Sequence, residues 1–225
     1  MIFPFLHPWD LTPREAIALQ KELAGRVVLR DDVPEPVSLV AGVDVSCARF
    51  SPEVFAAVVL FDAVAGVVVE TASARGAETF PYVPGLLSFR ELPVILEAFR
   101  KLQRFPDMVL VDGQGLAHPR RFGVACHLGL WLGVPTIGCA KSRLCGEHAE
   151  PGVQRGAWAR LTDGGEEIGR VLRTRDGIRP LYVSPGHRVG MERAMQIVLA
   201  CGRGYRLPEP TRLAHIESNR LRMTA

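Results

Sequence analysis

Three antiparallel strands, then helix, strand, helix, strand: the sequence predicts an α/β fold, a ribonuclease-H-like mixed sheet flanked by helices. Three observations carry the prediction. β-branched runs between residues 36 and 73 are separated by breaks too short for a crossover, so they pair antiparallel as a meander. The hydrophobic period then changes from two to helical spacing over residues 86–104. Beyond it, strand and helix patterns alternate, which calls for parallel strands. A doubly wound nucleotide-binding sheet would have begun with that alternation, and the sequence has no G-x-G-x-x-G or phosphate-loop glycine pattern.

Each element has its own signal. Thr12-Pro13-Arg14-Glu15 has the form of a capping box with proline at the first helical position, so a helix is expected from about 13 to 25. "PVSLVAGVDVSC", "VFAAVVLFD" and "GVVVETAS" supply the meander. "LLSFRELPVILEAFRKLQR" is the next helix, with Pro93 expected to open its main part. A strand at 107–111, a helix from about 121 to 132 and the strand "VPTIGCA" complete the alternating part. The last third holds an expected hairpin of "EIGRVLRT" and "PLYVSP", a helix near 190–201 and another near 211–222. One domain over residues 1–225 is expected, with its core at about 37–142 and additions at about 155–222.

Composition excludes several classes. The 225 residues are 48% hydrophobic and 23% charged, ordinary for a globular chain. No apolar run approaches the roughly 18 residues of a membrane span, and no secretory signal is expected at the N-terminus. Five cysteines without a C-x-x-C pair argue against a disulfide framework or a zinc knuckle and for reduced thiols in the cytoplasm. A net charge of +3 permits a polyanionic partner without demanding one. Only three of the 27 basic residues are lysines, which draws notice to Lys141.

The informative residues are acids in apolar strands. In "AGVDVSC", Val43, Val45 and Cys47 share one face and Gly42, Asp44 and Ser46 the other. A dry, unpaired acid there costs several kcal/mol, so Asp44 needs a cation, a hydrogen-bond network, a wet cleft or a solvent-exposed edge. Asp112 ends the 107–111 strand in "VLVDGQGLAHPRR", and in the inferred topology that strand lies beside the first. Two converging carboxylates repel unless a cation sits between them, and hard oxygen ligands suit Mg²⁺ or Mn²⁺. Glu91, near the start of its helix, is read equally well as a macrodipole partner or as a third acid of the site.

The remaining candidates have bland alternatives. Tyr82, between Pro81 and Pro84 in "FPYVPG", is a packed ring or an exposed wedge against bases. His118 is a hydrogen-bonded loop histidine, or it binds phosphate or passes protons. Arg120 and Arg121 are phosphate contacts or a solvated face. Lys141, just past "VPTIGCA", would reach the same sheet edge as Asp112 and hold a phosphate. Gly113 and Gly115 would let nucleic acid approach closely. His215, alone on a terminal helix, is ambiguous.

With these residues in view the sequence resembles the endonuclease V family of repair nucleases. The likeness rests on "AGVDVS", "FPYVPGLLSFRE", "VDGQGLAHPRRFG", "VPTIGCAKSRL", "VSPGH" and "PEPTRLAH", and runs from about "HPWDL" onwards over nearly the whole chain. The resemblance implies that Asp44, Glu91 and Asp112 are the acids of a Mg²⁺ site in which Mn²⁺ substitutes. It implies further catalytic residues at His118, Lys141 and His215, and a wedge of Pro81, Tyr82, Val83 and Pro84. The family usually writes P-Y-I-P, from which Val83 departs. His215 stands where many relatives carry aspartate, so direct coordination and a water-orienting role both stay open. Gly85, Leu87 and Gly113 are implied as a lesion pocket whose backbone amides meet the purine O6.

The implied substrate is DNA containing deoxyinosine, cut at the second phosphodiester bond on the 3′ side to leave a 3′-hydroxyl and a 5′-phosphate. Family members vary in their use of inosine-containing RNA, so RNA stays open as a partner. A monomer is expected; the proteins that complete repair are not named by the sequence. A dimeric junction resolvase and a non-catalytic lesion-binding protein are the alternative readings.

Overall fold

Residues 3–47 and 51–225 are described by a computed structural model. α1 (Pro13–Ala24) starts as its capping box dictates: the Thr12 hydroxyl accepts from the Glu15 N–H at 3.3 Å, and the Glu15 carboxylate accepts from the Thr12 N–H at 2.8 Å. β1 (Leu39–Cys47), β2 (Glu53–Asp62) and β3 (Val67–Ala77) form the antiparallel meander. α2 (Leu87–Arg100), β4 (Met108–Val111), α3 (Val124–Leu132) and β5 (Thr136–Ala140) follow, with β4 parallel to both β1 and β5.

The C-terminal third extends this sheet. β6 (Trp158–Asp163), β7 (Glu166–Leu172) and β8 (Leu181–His187) are successive antiparallel strands, and β8 also pairs antiparallel with β5. α4 (Met191–Ala200) and α5 (Glu209–Met223) end the chain. The result is one eight-stranded sheet in the order β3-β2-β1-β4-β5-β8-β7-β6, the mixed ribonuclease-H-like arrangement that the element order predicts.

Two expectations need correction. Pro93 does not open the main part of its helix but lies inside α2. Its missing N–H leaves the Phe89 carbonyl one turn back without its helical partner, and packing of Leu92, Val94, Ile95 and Leu96 carries the helix through. The expected hairpin also lacked a strand. β7 makes its tight turn with β6, through Gly164 and Gly165 at φ of 61° and 84°, the left-handed values that a two-residue hairpin turn demands.

The two faces of the sheet bury different clusters. Ala41, Val43, Val58 and Leu60 pack with Leu92, Ile95 and Phe99 of α2 and Leu128 of α3. Val40, Leu110, Ile137 and Val183 pack with Ala194 and Val198 of α4. Each large apolar side chain so buried contributes roughly 1.5–3 kcal/mol, which fixes the central strands as a rigid platform. A buried chain of polar contacts ties the N-terminal segment to the helices: His7 Nε2 lies 2.6 Å from His127 Nε2, and His127 Nδ1 lies 3.0 Å from Ser88 Oγ. All five cysteines are free, and no described helix is long and apolar enough to cross a membrane.

Candidate active site

The parallel pairing of β1 with β4 sets Val43 opposite Val111, so the next residue on each strand is an acid, Asp44 and Asp112. The Asp112 N–H donates to the Val43 carbonyl at 3.1 Å, extending the ladder to the acid itself. The face bearing Gly42, Asp44 and Ser46 is covered by α5. From that helix Ser218 donates its hydroxyl to Asp44 Oδ2, and His215 Nδ1 lies 3.3 Å from the same oxygen. Asn219 approaches Ser46 at 3.2 Å and donates to the His215 carbonyl at 2.7 Å. Lys141, at the end of β5, pairs with the Asp112 carboxylate and lies 3.5 Å from His215 Nδ1.

One ligand atom each from Asp44, Asp112 and His215 falls within 4.8 Å of the others. Glu91 is outside that triad, yet it feels it. Its carboxyl is pushed up to about 8, first by burial, then by the charge of Asp44 against the relief from Arg90, with Asp112 adding to the rise. Glu91 is the fifth residue of α2, past the first turn, so the helix dipole does not account for it. Asp112 is also raised, chiefly by burial, with Lys141 opposing and Asp44 reinforcing. Two carboxylate ligands, a third carboxyl destabilised by their charge and one imidazole form a donor set that a divalent cation fits. The oxygens suit Mg²⁺ or Mn²⁺, and the imidazole suits the softer of the two better.

A cavity of about 430 Å³ opens beside this cluster, inside the range of about 300–1,000 Å³ typical of ligand sites. Asp112 and Lys141 share its wall with Tyr82, Val83, Gly85, Leu87, Gly113 and His118. Wedge, pocket and catalytic residues expected from the sequence therefore meet at this cavity from three separate stretches of chain. Pro84 lines the cavity as well, Pro81 is exposed, and Tyr82 is 72% exposed, so its ring is a projecting group and not a packed one.

Other side chains are spent differently from expectation. His118 Nδ1 accepts from the Arg120 N–H at 3.1 Å, so its Nε2–H donates to the Gly85 carbonyl at 3.0 Å. Burial, reinforced by Arg120, depresses this imidazole to about 4. It is a neutral, doubly bonded loop histidine. Arg120 and Arg121, expected as phosphate contacts, have partners within the protein. Arg120 donates to the Gly85 carbonyl at 2.7 Å and to Gln20 at 2.6 Å, and Arg121 pairs with Asp163 at 2.9 Å and Glu166 at 2.7 Å. Together with Gln20, which also donates to Gly85 at 3.0 Å, they clamp the wedge loop and the β6–β7 turn to the site. Gly115 gives no approach to nucleic acid either: a Cβ there would lie 2.2 Å from the Pro185 carbonyl oxygen, so it admits β8.

Sequence reasoning missed Ser218, Asn219 and Gln20. The first two stand three and four positions after His215, on one helical face, a signal that was present once His215 was in view.

A sequence model of the endonuclease V family matches residues 21–216. The chain belongs to the endonuclease V family. An endonuclease V of Azotobacter vinelandii is 55% identical over 206 residues, covering 92% of this chain and 93% of its own. The crystal structure of the Bacillus subtilis endonuclease V superposes with a TM-score of 0.95 at 34% identity, covering 100% of this chain and 98% of the other. A Ciona intestinalis endonuclease V, in complex with a 23mer DNA containing an inosine followed by a ribo-adenosine, superposes at a TM-score of 0.84 with 26% identity over 95% of this chain and 99% of the other. As an endonuclease V the chain is a hydrolase of the DNA-binding, DNA-repair nucleases.

Proposed function

We propose that this endonuclease V recognises hypoxanthine, the deamination product of adenine, in DNA and hydrolyses the second phosphodiester bond on its 3′ side, with Mg²⁺ as the metal and Mn²⁺ able to replace it. One observation carries the reading: the cavity that would hold a base shares Asp112 and Lys141 with the acid cluster. The inosine-containing DNA bound by the Ciona intestinalis relative supports the substrate assignment.

Asp44 and Asp112 would hold the cation, with Glu91 and His215 completing its surroundings directly or through water. The cation supplies activation of water and neutralisation of charge growing on the phosphate. Lys141 steadies that phosphate from the edge of β5. His118 is kept neutral and acts as a positioning residue, fixing the Gly85 carbonyl so that the Gly85 N–H stays aimed for the base. That N–H, with the backbone of Leu87 and Gly113, favours the O6 of hypoxanthine over the amino group of adenine. Ser218 holds Asp44 in place from α5. The flipped base costs a few kcal/mol to extrude, least at a pair already weakened by deamination, and Tyr82 occupies the gap. Attack by water leaves a 3′-hydroxyl and a 5′-phosphate.

The test is a cleavage map. End-labelled strands carrying one hypoxanthine, as DNA and as RNA, are incubated with Mg²⁺, Mn²⁺ or EDTA. Cutting immediately 3′ of the lesion's 3′ neighbour, lost in EDTA, is expected. Cutting that persists in EDTA or ignores hypoxanthine overturns the reading. The ribo-adenosine after the inosine in the Ciona intestinalis complex makes RNA the second arm.

A further inference from the structure

Lys141 lines a second cavity, of about 380 Å³, which shares no other lining residue with the base pocket. Its other basic residues are Arg173, Arg179 and Arg206. Arg173 is spent: it pairs with Glu150 at 2.8 Å and donates to the carbonyls of Gly152 and Pro151, both at 3.0 Å. Arg179 and Arg206 are not. Among the described residues neither has a carboxylate within ion-pair distance, and Arg206 meets only carbonyls, those of Lys141 at 2.5 Å and Pro180 at 2.8 Å. Its Nε is buried without a hydrogen-bond partner.

A buried donor without an acceptor costs about 1–3 kcal/mol. Two guanidiniums facing one cavity without an intervening anion add repulsion. Arg206 is held below its ordinary value by burial and then by the charge of Arg179, and its bond to the carbonyl of Lys141, which itself pairs with Asp112, links it to the acid cluster. An anion with several oxygens would offset the charge of both guanidiniums at once, and a phosphodiester matches the fork of an arginine.

The polarity follows from the proposed reaction, on which this inference rests. If the lesion base enters the first cavity, it lies 5′ of the cut. The strand then crosses the acid cluster and Lys141, and what leaves on the far side is its 3′ part. We propose that the second cavity is a subsite for a backbone phosphate 3′ of the scissile bond, held by Arg179 and Arg206, so that the substrate is gripped on both sides of the cut. Arg206, through the Lys141 carbonyl, also couples occupation of the subsite to the position of that lysine.

The experiment is a scan with neutral methylphosphonate linkages. Each phosphate of a hypoxanthine strand is replaced in turn, and kcat/KM for cutting is measured for the wild type, Arg179→Ala and, as an exposed control outside the cavity, Arg175→Ala. Neutralising the linkage in the subsite should cost the wild type and Arg175→Ala about five- to tenfold, and Arg179→Ala nothing further. Arg179→Ala should also lower the slope of log affinity against log salt by about 0.7–0.9. Coupling that appears only at linkages 5′ of the cut, or nowhere, overturns the subsite. Competition by inorganic phosphate that depends on Arg179 while no methylphosphonate does so would make it a site for free phosphate, which also overturns it. An unmodified strand in which adenine replaces hypoxanthine separates the two readings: equal cutting of both defeats the proposed function, whereas preference for hypoxanthine without linkage coupling defeats the subsite alone.

Discussion

Burial and the charges of Asp44 and Asp112 hold Glu91 protonated at neutral pH until a cation arrives, and the cost of that is measurable without any substrate. Glu91→Gln keeps the shape and removes a carboxyl that folding must protonate at pH 7, because burial and its neighbours push it up to about 8. The metal-free variant should melt higher than the wild type, by about 2–4 °C for each kcal/mol of relief. It should also gain less from Mn²⁺ and cut on the order of a hundredfold more slowly. A Glu91→Gln melting curve that overlies the wild type with and without Mn²⁺ would remove Glu91 from the site. Tyr82 makes the complementary case on the substrate side. Its ring is exposed, with Arg90 5.7 Å from its centroid, so Tyr82→Ala should leave the melting temperature unchanged. It should slow cutting of duplex by about tenfold while sparing single strands, which need no gap filled. At this scale much was legible. An acid in a β-branched strand needs a cation, a hydrogen-bond network or water beside it, and that need drew Asp44 and Asp112 into view. Arg120 and Arg121 read as a basic pair in a glycine loop, and their partners Gly85, Asp163 and Glu166 could not be read there because they lie far off in the chain.

Among elements, the decisive contact is α5 laid across β1. Gly42 makes it possible. A Cβ at this position would sit 2.0 Å from the Pro210 carbonyl carbon and 2.4 Å from the Thr211 nitrogen, backbone atoms that cannot rotate away. Gly42→Ala must therefore push α5 off the strand, and with it Ser218 and His215. Overpacking of this kind costs typically 1–3 kcal/mol, and here catalysis should fall further than stability. Circular dichroism melting and the cleavage assay, run on Gly42→Ala with Gly76→Ala as a contrast, decide it. The Gly76 Cβ would meet only side-chain carbons of Val94 and Val54 at 3.6 Å or more, so that variant should cut normally. If Gly42→Ala cuts at the wild-type rate, α5 is not the wall of the site. The pairing was not legible, since 168 residues separate Gly42 from Pro210 and no local period reports a contact between them. The meander, the alternating part and the capping box are local or near-local and could be read directly. β6 was lost because "WARLTD" is short and polar on one face, although the Asp163-Gly164-Gly165-Glu166 turn beside it was a hairpin signal.

For the whole molecule, the buried histidines set a limit on the acid side. His187 is 6% exposed, and its Nδ1 accepts from the Val28 N–H at 3.2 Å, so the last residue of β8 holds the segment after α1. Its imidazole is depressed to about 4 by burial first and Arg188 second, with Asp32 opposing. His118 is also depressed to about 4, and His127 is held well below its ordinary value by burial first and His7 second. The sign is the same for all three. Folded, they stay neutral; unfolded, they take up protons as the pH falls through about 6.5. Their stability is fully present above that pH and is lost progressively down to the folded value, because the unfolded chain binds more protons in between. For His187 alone the loss by pH 5 is about 2 kcal/mol at most, less whatever solvent screens. His187→Asn offers an acceptor oxygen near the Nδ1 position and cannot titrate. At pH 8 it should match or slightly trail the wild type in urea unfolding. By pH 5 the order should reverse, with the variant the more resistant. Parallel midpoints across pH 8, 6.5 and 5 would show that His187 is not held neutral by the fold, and the acid sensitivity would then have to come from His118 and His127 alone.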